Sequence, residues 1–237
     1  MKKIALLFTL VSLLMARTAF SQVKPFRFGL KVAPAISWVS PDSEGYKNKG
    51  AQAGFSWGFI SDITITENYF FATGFNLNYL KGEISYPFQN RVVNGTDTTT
   101  ITGTMVSDMK LRYIDIPLTL KMKTNRFDKM QYYGQIGFSL AFNIKTKTEE
   151  TFQYRVGGVY ESETNERDRT DDTRLLKASL VLGGGIEYYI DNSTSLVFGL
   201  TYYNGISNIM KGYNTVDDDV KQKAAPHFIE LTLGVIF

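Results

Sequence analysis

Residues 113–122 read YIDIPLTLKM, and this stretch decides the fold. Successive side chains of a strand leave opposite faces, so it splits into two interleaved sets. One is Ile114, Ile116, Leu118, Leu120 and Met122; the other is Tyr113, Asp115, Pro117, Thr119 and Lys121. One face is wholly apolar, and the other carries an acid, a base and a hydroxyl. Which face lies inside determines what kind of protein this is.

The same parity extends in both directions. Downstream, Tyr132, Ile136, Phe138, Leu140 and Phe142 oppose Gln135, Gly137, Ser139, Ala141 and Asn143. Further on, Leu176, Ala178, Leu180, Leu182, Ile186 and Tyr188 oppose Lys177, Ser179, Gly183, Gly185 and Glu187. Upstream, Phe55, Trp57 and Phe59 oppose Gly54, Ser56 and Gly58, with Asp62 further along the small set. Phe26 to Ser37, Tyr69 to Leu80, Ser195 to Ser207 and Phe228 to Phe237 read likewise, which predicts eight strands of about ten residues. Strands of ~9–11 residues suit a tilted crossing of a bilayer, whereas soluble strands are commonly about 5–6 residues.

The connections alternate in length. Long polar stretches fall near 38–51, 81–109, 145–173 and 208–225, and short turns near 65–68, 124–130 and 191–194. Outer-membrane barrels have short periplasmic turns and longer extracellular loops, so this order is topological information in itself. Aromatic residues gather at strand ends: Phe70, Tyr132, Tyr133, Tyr188 and Tyr189 by the short turns, Trp38, Tyr79, Tyr113, Tyr202 and Tyr203 by the long connections. That distribution predicts two interfacial girdles.

Size settles inside against outside. An eight-stranded barrel has little interior room, which suits Gly, Ser, Ala and Thr better than Trp, Phe and Leu. The apolar set therefore faces lipid, and the polar set faces the lumen. Charges placed there must pair, because an isolated buried charge costs several kcal/mol or more. Asp115, Glu187 and Glu230 supply the acids and Arg27, Lys31 and Lys121 the bases, which predicts an ionic plug with Glu230 facing Arg27 or Lys31.

The first residues, MKKIALLFTLVSLLMARTAFSQ, carry Lys2 and Lys3, an apolar run from Ile4 to Met15, and small residues before Gln22. This is the pattern of a secretory signal peptide over 1–21, leaving a barrel domain over 22–237. Its removal takes Lys2, Lys3 and Arg17, so 23 basic residues balance 23 acidic ones, and the electrostatic case for a nucleic-acid partner disappears. The chain has no cysteine, which excludes disulfides, thiol nucleophiles and thiolate metal sites.

Other chemistry is weakly signalled. The single histidine, His227, falls on the parity of Ile229 and Leu231, away from Glu230, so no catalytic residue is assigned. The GGG at 183–185 lacks the Rossmann and Walker spacings and reads as a strand crowded on its inner side. The DDD at 217–219 reads as a solvated acidic loop. No metal or cofactor is expected.

RYIDIPLTLKMK, GGGIEYY, FIELTLGVIF and FGLKVAPAIS together resemble the PorT-like outer-membrane β-barrel proteins of Bacteroidetes. The resemblance covers most of the chain after the signal and implies an eight-stranded outer-membrane barrel. It also implies a place in type IX protein secretion, the process in which the namesake takes part.

The expectation is an all-β, eight-stranded antiparallel up-and-down transmembrane barrel that is non-enzymatic and serves a structural or interaction role. Its expected partners are outer-membrane lipid and lipopolysaccharide, the barrel-assembly machinery and secretion proteins. The terminal Phe237 is expected to serve as the assembly signal. A small lipid-modifying enzyme, a narrow porin and a secreted lipocalin-like barrel are the alternatives.

Overall fold

The computed structural model describes residues 25–94 and 97–237, and among them there is no helix. The expected signal peptide lies outside the described residues. Ten strands follow one another: β1 (Phe26–Pro41), β2 (Lys47–Asn48), β3 (Gln52–Thr66), β4 (Tyr69–Asn94), β5 (Asp97–Lys123), β6 (Met130–Val156), β7 (Val159–Asp168), β8 (Leu176–Tyr189), β9 (Ser195–Gly205) and β10 (Ala224–Ile236). Eight of them, all but β2 and β7, form a closed antiparallel ring in the order β1-β3-β4-β5-β6-β8-β9-β10. The ring shuts where β10 pairs with β1, Leu30 opposite Val235 and Lys31 opposite Gly234. Closure leaves no unpaired ladder edge in the ring, the condition for crossing lipid with strands.

The parity of YIDIPLTLKM is physically realised. Leu118, Leu120 and Met122 face outward, while Asp115, Thr119 and Lys121 are buried inside. Around the ring the outer wall is apolar, with Phe28, Leu30, Trp57, Phe59, Phe138, Leu182, Leu200 and Leu231 all exposed. Such a surface is stable against hydrocarbon and would be an aggregation liability in water.

Two expectations need correction. The long connections expected at 81–109 and 145–173 are mostly strand, over 81–94, 97–109, 145–156 and 159–168: β4, β5 and β6 run on for 26, 27 and 27 residues and carry the sheet beyond the barrel. There β6 leaves β8 and pairs with β7 instead, Lys147 opposite Asp168 through Val156 opposite Val159. A β-bulge on β6 lies beside this handover: Arg112 and Tyr113 of β5 are opposite Lys145 and Asn143, and Ile144 is the extra residue between them. The tip is turned by Gly157 and Gly158, whose φ values of +58° and +87° suit a two-residue hairpin loop.

The aromatic girdle is half as populated as expected. Tyr79, Tyr132 and Tyr188 face out, but Phe70, Tyr113, Tyr133 and Tyr203 are buried in the lumen. Adjacent residues such as Tyr132 and Tyr133 cannot share a face of a strand, so proximity to a strand end alone overcounts the belt.

Candidate functional site

Seen from the short-turn end, the lumen holds charge in three levels. The lowest level is a five-membered cluster from β1, β3, β5 and β8. Arg27 donates through Nη1 to Glu187 Oε2 at 2.9 Å and through Nη2 to Ser195 Oγ at 2.8 Å. Lys121 Nζ reaches Asp62 Oδ2 at 3.0 Å and Glu187 Oε1 at 3.2 Å. Lys123 Nζ bridges the same two carboxylates at 2.9 Å and 2.7 Å. Three cations thus share two acids. Tyr133 and Phe70 present ring faces to the ammonium groups of Lys121 and Lys123, 4.5 Å and 4.3 Å from the ring centroids, which spreads the surplus positive charge.

The middle level is Lys31 paired with Glu230 across the closing seam, at 2.5 Å. Tyr203 and Thr232 each donate a hydroxyl to the same Glu230 oxygen at 3.3 Å. Of the two bases predicted for Glu230, the structure selects Lys31 and sends Arg27 to Glu187. Register explains the choice: Lys31 is opposite Gly234 on β10, whereas Arg27 is opposite Asp62 on β3, at the level of the lower cluster.

The upper level holds Asp115 on β5 and Lys177 on β8, both fully buried; among the described residues neither Asp115 carboxylate oxygen nor Lys177 Nζ has a hydrogen-bond partner. Both are opposite Ala141 of the intervening β6, whose small side chain leaves their path clear. The Lys177 ammonium lies 5.1 Å and 5.0 Å from the Tyr113 and Phe228 ring centroids. Phe228 stacks in turn on Tyr203, at 4.2 Å between centroids.

Above the charges the mouth is filled by apolar side chains. Val39, Leu80, Ile84, Leu111 and Ile209 are buried in one cluster with Phe228. The connection from β9 to β10 contributes Ile209, so that segment crosses the opening. Higher still, Glu150 receives a bidentate pair from Arg169 at 2.7 Å and 2.9 Å, and Arg169 also holds Asp172 at 2.9 Å. These hydrogen bonds, Glu150's first, raise the Arg169 guanidinium above its usual range. Beside them a cavity of about 220 Å³ is walled by Tyr86, Phe88, Met109 and Met210. Burial pushes the Tyr86 phenol well up.

Arg27, Lys31, Asp115, Lys121, Glu187 and Glu230 are all buried, five of them in ion pairs and Asp115 in none among the described residues. Sequence reading left Asp62, Lys123 and Lys177 out of the network, although each occupies the inward parity of its strand, and parity was the signal that could have found them. His227 is elsewhere: it stacks on Trp38 at 5.7 Å, Trp38 stacks on Tyr202 at 6.2 Å, and His227 Nδ1 has no hydrogen-bond partner among the described residues. Phe237 packs its ring 5.8 Å from that of Phe28 and donates its backbone N–H to the Phe28 carbonyl.

The family model described as outer membrane protein beta-barrel domain matches residues 20–211. The chain belongs to that family. The matched stretch runs from before β1 past the end of β9, and it places the protein in the outer membrane. Among solved structures, the chain is similar to neisserial surface protein A at 15% identity, covering 90% of this chain and 96% of that one, with a TM-score of 0.42. It is also similar to OprG of Pseudomonas aeruginosa, at 13% identity, 90% and 97% coverage and a TM-score of 0.43. The attachment invasion locus protein Ail of Yersinia pestis, in complex with the heparin analogue sucrose octasulfate, matches at 15% identity, 90% and 100% coverage and a TM-score of 0.37. No curated protein matches the chain.

Proposed function

We propose that this family member is a non-enzymatic barrel closed by its own side chains, whose working surface is the sheet projecting from its long-hairpin end. One observation carries the reading: charged lumen levels lie beneath an apolar seal of Val39, Leu80, Ile84, Leu111 and Ile209. Buried charges packed under an apolar layer leave no continuous polar path for an ion or solute. In planar bilayers the purified protein is expected to give no stable conductance steps, and reproducible steps would restore the narrow-porin reading.

His227 argues against the enzyme alternative. It stacks between strands on the outer wall, and no carboxylate orients its Nδ1, as a general base would require. His227→Ala is expected to leave lipid composition and any partner binding unchanged.

The rule of short periplasmic turns puts the projecting sheet outside the cell. A protease site inserted at Gly157–Gly158 should therefore be cut on intact cells. The PorT-like resemblance supports a partner in type IX secretion, tested by a knockout scored for export of surface proteins. The ring of Phe237, turned to lipid against Phe28, is the feature proposed for recognition by the assembly machinery. Phe237→Ala should lower the yield of folded barrel.

A further inference from the structure

A groove of about 610 Å³ opens on the outer wall where β8 begins and the β9–β10 connection returns to the barrel. Arg174, Lys211, Lys221 and Lys223 line it, and no carboxylate does. None of the four forms an ion pair among the described residues. Two are nonetheless held in place by backbone acceptors: Arg174 Nε donates to the Met210 carbonyl at 3.3 Å and Lys211 Nζ to that of Asp171 at 2.8 Å. Four cations converging without a counter-ion repel one another, and an anion in the groove would turn that repulsion into attraction.

The floor of the groove says what kind of anion. Leu175 and Leu176, 65% and 48% exposed, are its apolar lining, and Ser207 and Asn208 complete it. Leu176 is opposite Phe142 of β6 and starts the outward parity that continues through Leu180 and Leu182, the lipid-facing wall of β8. The cations therefore stand directly above hydrocarbon, at the level of headgroups. A free phosphate would gain nothing from the leucines, whereas a phosphorylated lipid uses both halves.

We propose that this groove binds the phosphates of an outer-leaflet lipid, those of the lipid A part of lipopolysaccharide, with an acyl chain lying along Leu176, Leu180 and Leu182. Arg174 offers the planar fork suited to a phosphate, Lys211 adds a fixed charge beside it, and Lys221 and Lys223 supply mobile charge around it. The proposal rests on the long-hairpin end being extracellular, which cleavage at Gly157–Gly158 tests separately.

The test measures binding of the full chain, purified in mild detergent, to bisphosphorylated lipid A, phosphatase-treated lipid A and inorganic pyrophosphate, by native mass spectrometry. Lipid A is expected to bind at least about tenfold more tightly than its dephosphorylated form, since each basic residue near an anionic lipid surface contributes about a factor of five. The pair Arg174→Glu and Lys221→Glu should abolish that preference while heat-modifiable gel mobility stays normal. Should the pair fail to fold, Lys221→Ala with Lys223→Ala, both in the connection before β10, replaces it with the same expectation. Equal binding of the two lipids, an undiminished preference in the folded variants, or pyrophosphate binding as tight as lipid A would each overturn the proposal.

Discussion

Glu187 touches three cations, Arg27, Lys121 and Lys123, and is fully buried. Removing one member of a buried ion pair strands its partner and costs about 3–5 kcal/mol. Glu187→Ala should therefore destabilise the barrel by at least that much, read as a lower urea midpoint in lipid vesicles. Replacing Lys31 and Glu230 together by Met and Leu should cost far less than either change alone. At Gly185 an added Cβ would stand 2.1 Å from the Phe198 carbonyl oxygen and 2.8 Å from the Tyr133 hydroxyl. Gly185→Ala should thus cost about 1–3 kcal/mol through overpacking, measured in the same titration. The face of each charged residue is legible in the sequence because period two is a local property. Its partner is not, because partners meet across strands whose register is fixed by turns and closure. Hence Arg27 reads as a candidate for Glu230 in sequence and sits on Glu187 in space.

At the scale of elements, the projecting sheet of β4, β5, β6 and β7 occupies what reads in the sequence as long polar connections, although the Thr-rich VVNGTDTTTITGT also reads as a loop limb or hairpin extension, and the hairpin is what forms. Composition misleads there: NRVVNGTDTTTITGT is rich in Thr, Asn and Gly, so turn residues mask the strand alternation. The eight barrel spans are legible because lipid demands a clean apolar face, and outside lipid that demand lapses. Removing residues 92–99 from the tip of the β4–β5 hairpin, beyond Phe88 and Ile101 of the apolar cluster, should leave the barrel's unfolding free energy in a urea titration within about 0.5 kcal/mol, as for changes remote from the core. The end of β7 carries a pH-sensitive tie. Asp168 accepts from the Thr170 hydroxyl at 2.6 Å and backbone N–H at 3.0 Å, and these bonds, the hydroxyl's first, hold its carboxyl below the ordinary value. A depressed carboxyl stabilises fully above its unfolded pKa of about 4 and loses that contribution as pH falls through the lower folded value. Amide exchange at 168–170 should accordingly be constant from pH 5 to 8, in units of the intrinsic rate, and should rise only below about pH 4.

At the scale of the whole molecule, the proposed closure has two independent seals, the ionic levels and the apolar mouth. Leu80→Ala with Leu111→Ala should loosen the mouth, yet conductance should stay absent because the Lys121–Glu187 level beneath is untouched. Ion flow in that variant would show that the charges are not a barrier. The length of the central strands has a mechanical meaning as well. β4, β5 and β6 pass without a break from the short-turn end to the projecting tip, and a strand of 27 residues spans up to about 90 Å. The hydrocarbon core is only about 30 Å thick, so well over half of that span is outside it. A load applied at the tip would travel along continuous backbones into the bonds that close the barrel. It would meet those bonds in shear, many at a time, so pulling on the tip would strain the closed ring as a unit instead of peeling one strand away.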